Sequence, residues 1–392
     1  MLFARATSRG NVDPEYAVAA HRIDPPASGT VVFDAAGNRS LSRHEAACQQ
    51  ALARQLAVLQ GMTFGGNYDP LRHPAGSLYF VPADVLVASA AAARGIRNER
   101  DLFGGVVAHP IMASKAITHP LVDPEALRPA HWSEAFAERV AAVTLPGHAA
   151  FTLEDARRAG RRLLASGPVR VKPADANAGR DQQVAATPAG LDAILDRLDD
   201  ERLARSGLVL ETNLSEVTTY SVGHVRVGKL DIAYYGTQRL TRDNAGAAVY
   251  GGSDLHVRQG DLQDLLQLAL PEPIRIAVSQ AHAYDAAARH CFPAMFASRR
   301  NYDIAQGTDA HGQRRSGVLE PSWRIGGASG AEVAALRHFQ AQPHSTWLHA
   351  STIERYGDGV EPPAQATVLF RGIDPQVGAI TKYTVVDADG HA

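Results

Sequence analysis

Apolar positions along the first hundred residues change period several times. A β-branched run at 30–34 followed by Gly37-Asn38 predicts a strand and a turn. Over 42–60, Ala46, Leu52, Leu56 and Leu59 recur at helical spacing and predict an amphipathic helix. A strand is expected at 77–82, a helix at 83–94, and a shorter helix at 98–103 with Asn98 as its N-cap. This alternation points to an α/β domain over about the first 110 residues, behind an irregular stretch at 1–22.

Beyond that the pattern is mixed. Residues 122–145 read as helix and loop, and Thr152 with Asp155 opens a helix that runs to Ala165. Val169 and Val171 alternate with Arg170 and Lys172, as a strand requires. A charged amphipathic helix follows at 188–203 and a strand at 208–211. Residues 220–227 and 230–240 alternate and join around Gly228, which predicts a hairpin. Helices are expected at 262–268, 274–290 and 331–340, a strand-like run at 317–320, and two strands within 365–386. Such a mixture predicts an α+β layered fold rather than a pure doubly wound sheet.

Composition narrows the function. The chain has 392 residues, which at roughly 100–200 per domain allows two or three domains. Its 39 basic and 41 acidic residues leave a net charge of −2. That balance lacks the basic footprint of a nucleic-acid binder but is compatible with one small basic pocket. The two cysteines, Cys48 and Cys291, exclude a disulfide scaffold and a Cys-rich zinc module, and fit a reducing compartment. No apolar core follows the arginines of 1–11, and no run reaches about 18 uncharged apolar residues. The expectation is a soluble, cytoplasmic protein with no membrane partner. Phosphate-loop, dinucleotide-loop, zinc-protease and nucleophile-elbow motifs are all missing.

Several constellations could carry chemistry. Lys172 ends a strand before the loop 174–181, which holds Gly179. An ammonium there can meet a phosphate, with backbone N–H groups helping, or simply be solvated. Asp303 and Glu320 flank a segment whose turn-rich centre is 307–312, so two joined strands could set both carboxylates side by side for Mg²⁺. In an extended segment Glu320, Ser322 and Arg324 share one face, suited either to Mg²⁺ with an anion or to a Glu320–Arg324 ion pair. Glu211 and Glu216 follow a strand; on local evidence they read first as two solvated acids at a strand end, and otherwise could hold a ribose hydroxyl or an adenine amine. Gly251 and Gly252, within Tyr250–Asp254, form a substrate loop or a turn. A second glycine pair, Gly326-Gly327, follows Arg324.

The order of these pieces resembles the ATP-grasp superfamily. Lys115 stands where that family has a lysine opening its central domain. Thr144-Leu145-Pro146-Gly147 with the following helix is similar to its lead-in, and 169–173 to its strand with a phosphate-binding lysine. Residues 208–211 resemble the strand leading to an adenine-contacting hinge, and Glu320-Pro321-Ser322-Trp323-Arg324 the Glu-x-Asn-x-Arg motif, with serine for asparagine. The chain also looks like an uncharacterised bacterial family in this group, some members of which carry a biotin carboxylase label. Thr219–Gly223, Arg299–Asp303 and Ser322–Ser329 carry that likeness.

The resemblance implies an α+β ATP-grasp architecture. Its parts would be an N-terminal α/β domain (1–112), a central lid subdomain (113–206) and a C-terminal mixed-sheet subdomain (207–392). It implies a ligase using ATP and Mg²⁺, in which a small-molecule carboxylate forms an acyl-phosphate and a nucleophile displaces phosphate; a peptide-like substrate fits equally. Lys115, Lys172, Glu211, Glu216, Gly179, Gly251 and Gly252 would hold the nucleotide, with Thr218 or Thr219 as alternatives for the ribose. Asp303, Glu320 and Ser322 would hold the metal. Arg324 would steady the acyl-phosphate, and Arg300 or Arg299 the acceptor carboxylate. Substrate contacts are expected from 65–69, 104–110 and Ser114, with 365–386 as a cap or interface. A nucleotide binder without ligase activity and an ATP-grasp kinase are the alternatives, and a homodimer is left open.

Overall fold

The structure, a computed structural model, describes residues 29–35, 41–74, 76–176 and 181–387. The expected irregular N-terminus, the Gly37-Asn38 turn and Gly179 lie outside the described residues. Strands β1 (Thr30–Asp34), β2 (Thr63–Asn67) and β3 (Leu78–Pro82) form a parallel sheet in the order β2-β1-β3. Between β1 and β2 runs helix α1 (Arg43–Gln60). Ser42 and Glu45 make a reciprocal capping box at its start, and Gly61 ends it in a left-handed conformation at φ 65°. Its apolar face packs on β1. The glycine-rich run 65–69, expected as a loop, thus begins in the edge strand β2.

The helix expected over 83–94 is shorter. Leu86 and Val87 form strand β4 (Leu86–Val87) against β5 (Gly105–Val107), and only α2 (Ala88–Ala93) is helical. Residues 98–103 are not a helix. The Asn98 side chain accepts from the Arg100 N–H, and Asp101 accepts from the N–H groups of Arg97 and Asn98. These local bonds compete with the helix ladder.

A second layer is a four-stranded antiparallel sheet in the order β6-β9-β7-β8: β6 (Gly147–Ala150), β7 (Val169–Pro173), β8 (Gln183–Ala185) and β9 (Leu208–Thr212). Helix α3 (Glu134–Val140) precedes it, and α4 (Leu153–Leu164), with the expected Thr152 cap, packs against it. The helix expected at 188–203 divides into α5 (Pro188–Leu195) and α6 (Asp200–Ser206). Asp199 causes the break by accepting from the Arg202 N–H at 2.7 Å as a fresh N-cap.

The largest sheet has eight strands in the order β15-β14-β10-β11-β12-β16-β18-β17. β10 (Ser215–Val227) and β11 (Leu230–Arg242) are the expected hairpin, with Gly228 at φ 59°. β12 (Ala248–Gln259) follows, then α7 (Leu262–Leu266), α8 (Glu272–Cys291) and β13 (Phe296–Ala297), which crosses back to pair with β5. β14 (Arg299–Thr308), β15 (Arg314–Ser322), α9 (Ser329–Ala341), β16 (Trp347–Tyr356), β17 (Thr367–Asp374) and β18 (Gly378–Asp387) complete the chain. One apolar core lies between this sheet and α1 with α9; another joins α3, α4 and α8 to the four-stranded sheet. The expected α+β mixture holds. β17 and β18 are sheet strands, and their turn carries Asp374, whose Oδ2 accepts from both the N–H and Nδ1 of His44 at 2.8 and 3.0 Å.

Gly251 and Gly252 require a correction. They lie inside β12, next to a bulge opposite Arg239 and Leu240, and not in a loop. Gly252 has φ 136°, and a Cβ there would sit 2.0 Å from the Thr352 carbonyl oxygen of β16. Glycine is needed for strand-to-strand approach. Gly252→Ala should therefore cost about 1–3 kcal/mol from backbone conformation alone. Urea denaturation reads this as a lower midpoint at unchanged slope; an unaltered midpoint would count against the packing.

Candidate functional site

Period two on β14 and β15 organises the site. In their antiparallel register Asn301 faces Ser322 and Asp303 faces Glu320. Alternation puts Asn301, Asp303, Glu320 and Ser322 on one wall of a cavity of about 490 Å³, to which Arg324 adds beyond the strand end. The expected side-by-side carboxylates are thus cross-strand neighbours. Around Asp303 Oδ1, Asn301 Nδ2 donates at 2.9 Å and Ser221 Oγ at 3.1 Å, while Gln238 Nε2 donates to Ser221 Oγ. Burial pushes the Asp303 carboxyl above its usual range, the Glu320 charge adds to this, and those donors offset only part of it.

Glu320 behaves oppositely. Burial acts upward on it, but the Lys115 ammonium, 2.9 Å from Glu320 Oε2, holds it below the usual range. Lys172 and Arg324 act in the same direction. Lys115 sits at the start of a 3-10 turn, Lys115–Ile117, and also donates to the Ala176 carbonyl at 2.8 Å, at the root of segment 177–180. The expected alternative, a Glu320–Arg324 pair, is not formed: Arg324 Nη1 donates to the Ile325 carbonyl, and Arg324 Nε lies 3.8 Å from Asp84.

Lys172 is on β7 opposite Val209, and Glu211 lies two residues further along β9, on the same face. The two are ion-paired, and His119 Nε2 lies 3.3 Å from the other Glu211 oxygen. All three side chains are buried. Burial acts upward on Glu211, but the charges of Lys172 and His119 bring it down to about 2. His119 was not foreseen; its neighbours in sequence carry no motif. Its Nδ1 is buried with no hydrogen-bond partner among the described residues. Glu216 is exposed at φ 50° in β10, within the bulge between Ser215 and Thr218.

Arg299 and Arg300 need correction as carboxylate binders. Arg300 points to the opposite face of β14, donating to the Ala297 carbonyl at 3.0 Å and lying 3.8 Å from Asp285. Arg299 is on the cavity side but committed. Its Nε and Nη2 bond Glu332, and its Nη1 bonds the Ser322 carbonyl, Ser322 Oγ and the Arg324 carbonyl. Ser322 Oγ therefore already accepts from a guanidinium at 3.0 Å, a competitor for any cation.

Gly326-Gly327 lead into α9, whose first turn joins the cavity wall; its N-cap residue Ala328 makes no capping bond, and the Ala331 N–H donates instead to Thr352 Oγ1 at 2.9 Å. A Cβ on Gly327 would lie 2.6 Å from the Tyr250 phenol oxygen. The positive end of that helix adds to Arg324 as an anion-favouring feature. The expected substrate segments 65–69, 104–110 and Ser114 do not line the cavity; its remaining wall includes residues of α1, β10, β11, β12, β16, β17 and β18. Among the described residues there is no cluster of three His, Cys, Asp or Glu that could hold a metal ion, and no helix is long and apolar enough to cross a membrane. Both cysteines are free thiols.

The depressed Glu211 carboxyl makes stability depend on acid. Because its folded value, about 2, lies below the ordinary 4.5, its contribution is full above pH 4.5 and is lost as pH falls through about 2. Glu211→Gln should remove that acid-side slope. At neutral pH it should also cost about 3–5 kcal/mol, by leaving the Lys172 charge buried alone. Urea midpoints across the pH range read both; an unchanged acid limb in the variant would contradict the pairing.

Residues 32–384 match the sequence pattern of a family described as "Protein of unknown function (DUF3182)". No curated protein matches the chain. Among solved structures it is similar to the biotin carboxylase domain of Hydrogenobacter thermophilus 2-oxoglutarate carboxylase, a dimer solved with MgADP, ADP and bicarbonate. The TM-score is 0.54 at 14% identity, over 91% of this chain and 86% of that one. It is also similar to N5-carboxyaminoimidazole synthase from Aspergillus clavatus, solved with ADP and 5-aminoimidazole ribonucleotide: TM-score 0.50, 12% identity, 93% and 95% coverage. Campylobacter jejuni biotin carboxylase gives 0.50 at 12% identity, over 92% and 88%. At such identities the likeness establishes the fold. The chain has the ATP-grasp fold and belongs to the DUF3182 family.

Proposed function

We propose that this protein is an ATP- and Mg²⁺-dependent ligase that joins a carboxylate to a nucleophile through an acyl-phosphate and releases ADP. The observation that carries this reading is the cross-strand pair Asp303–Glu320 on one cavity wall, with Lys115 and Arg324 beside it. Two carboxylates whose like charges oppose each other form the hard-oxygen donor set that Mg²⁺ takes, with phosphate oxygens completing its shell. Asp303 and Glu320 would hold the ion. Ser322 would contribute less, because Arg299 already occupies its hydroxyl oxygen. When bound, Mg²⁺ neutralises phosphate charge during transfer.

The rest of the work is positioning and charge stabilisation. Lys115 and Lys172, each resting on a carboxylate, would exchange those partners for phosphate oxygens. Glu211 would accept from the adenine amine, held in place by His119. Glu216, Thr218 or Thr219 would meet the ribose, and Gly179 would face the phosphates. Arg324 and the α9 N-terminus would steady the acyl-phosphate. The fold relatives were solved with ADP and MgADP bound, which supports a nucleotide here. The free cysteines support a reducing compartment, and we place the protein in the cytoplasm on that basis.

Thermal unfolding with ATP, with and without Mg²⁺, tests binding. At a hundredfold excess over Kd, MgATP should stabilise the fold by about 2.7 kcal/mol. Lys172→Ala should abolish the shift, and Glu320→Gln should raise the Mg²⁺ concentration needed by about tenfold or more. ADP release on a metabolite panel then separates a ligase from a silent binder. A melting temperature indifferent to MgATP would sink the proposal.

A further inference from the structure

A second part of the cavity wall is built by α1, β16 and β18, and the reading above leaves it without a role. Glu354 and Lys382 are register partners across β16 and β18, and Lys382 Nζ donates to Glu354 Oε1 at 2.7 Å. Their side chains are only 9% and 11% exposed, yet both face the cavity. A buried ion pair is a poor device for stability, since well-packed apolar residues of the same volume do as well or better. An ammonium carries three donors and a carboxylate about four acceptor positions, so one shared bond leaves both able to take a ligand.

A separate observation comes from α1. Gln49 is 8% exposed and lines the same cavity, and its Oε1 is buried with no hydrogen-bond partner among the described residues. A buried orphan acceptor is costly unless a ligand donor meets it. At the preceding residue of that helix, burial pushes the Cys48 thiol up to about 12, so it stays neutral and supplies no nucleophile. This end recognises rather than reacts. Tyr250 connects it to the carboxylate wall: its buried phenol lies within the fields of both Glu354 and Asp303.

We propose that this part of the cavity binds the head group of an amino acid, with the α-carboxylate on Lys382, the α-ammonium on Glu354 and a further N–H on Gln49 Oε1. The charge arithmetic selects a zwitterion. A ligand of one sign would draw one member of the pair and leave the other buried and unmatched. Only a group presenting both signs on adjacent atoms replaces both partners at once. The inference rests on the ligase reading for its meaning, since the amino acid would be the substrate of the ATP-dependent step. Its binding can be measured without nucleotide.

The test titrates the full-length chain calorimetrically with each of the twenty common L-amino acids, without nucleotide. The best binder is then compared with its decarboxylated amine and its deaminated acid. At least one amino acid should bind, and each analogue should bind about tenfold to a hundredfold more weakly. The double variant Glu354→Gln/Lys382→Met removes both charges together, so neither is left buried alone, and should lose affinity by the same factor. Gln49→Leu should weaken binding while raising the melting temperature of the free protein, which a merely structural glutamine would not do. Absence of binding by all twenty would overturn the proposal, as would affinity unchanged in the double variant. A parallel MgATP titration reads the ligase reading separately. An amino acid bound by a chain indifferent to MgATP would sink that reading and leave the head-group site standing.

Discussion

The carboxylate wall depends on one ion pair sealed beneath it. Arg299 is 1% exposed and grips Glu332 of α9 with two nitrogens, while its third nitrogen ties down Ser322 and the Arg324 carbonyl. Burial acts downward on the guanidinium, but the Glu332 carboxylate, with Tyr234 and Asp303 adding to it, more than restores it, so Arg299 stays charged. Tyr234 extends the network, its hydroxyl lying within hydrogen-bond reach of Glu332 and of the Asn301 side-chain oxygen. Removing either charge would strand the other in the interior. A single contact thus sets the end of β15, the turn carrying Arg324 and the start of α9 in one geometry. Asp303 and Glu320 inherit their places from the same strands.

Around that anchor the charges are arranged in matched sets. Each lysine assigned to phosphate rests on a carboxylate: Lys115 on Glu320, Lys172 on Glu211. The two carboxylates facing each other across β14 and β15 are driven apart in proton affinity, Asp303 upward and Glu320 downward. In the proposed reading a nucleotide with a divalent cation would satisfy both sets together: phosphate takes the lysines, the cation takes the freed Glu320 oxygen beside Asp303, and the adenine amine takes Glu211. The near-zero net charge of the chain conceals this local order, because opposite charges are paired residue by residue.

What could be read from the sequence follows the range of the signal. Capping at Thr152, the two-residue turn at Gly228 and the alternation that sets Glu320 beside Ser322 are local, and all were visible. Period two also separates Arg299 from Arg300; the pair looked interchangeable only because strand direction alone does not say which face is inward. The glycines of β12 misled for a related reason. Glycine marks a turn and equally marks close backbone approach, and only the position of the Thr352 carbonyl distinguishes the two at Gly252. Glu354 and Lys382 were invisible: twenty-eight residues apart, they belong to no motif, and strand pairing alone makes them neighbours. The Asp199 cap that splits α5 from α6 was a readable signal, outweighed by the amphipathic pattern running through it.

The bond between His44 and Asp374 spans 330 residues. Helix α1 owes part of its seat to a turn that a ribosome makes long after the helix itself. Until β17 and β18 emerge from the ribosome, the far wall of the cavity does not exist, and Gln49 and Cys48 face nothing. A nascent chain can complete its lysine-bearing sheet long before it can enclose a substrate. Enclosure of the cavity therefore waits on strands far downstream of α1, and long loop closure makes that step slow.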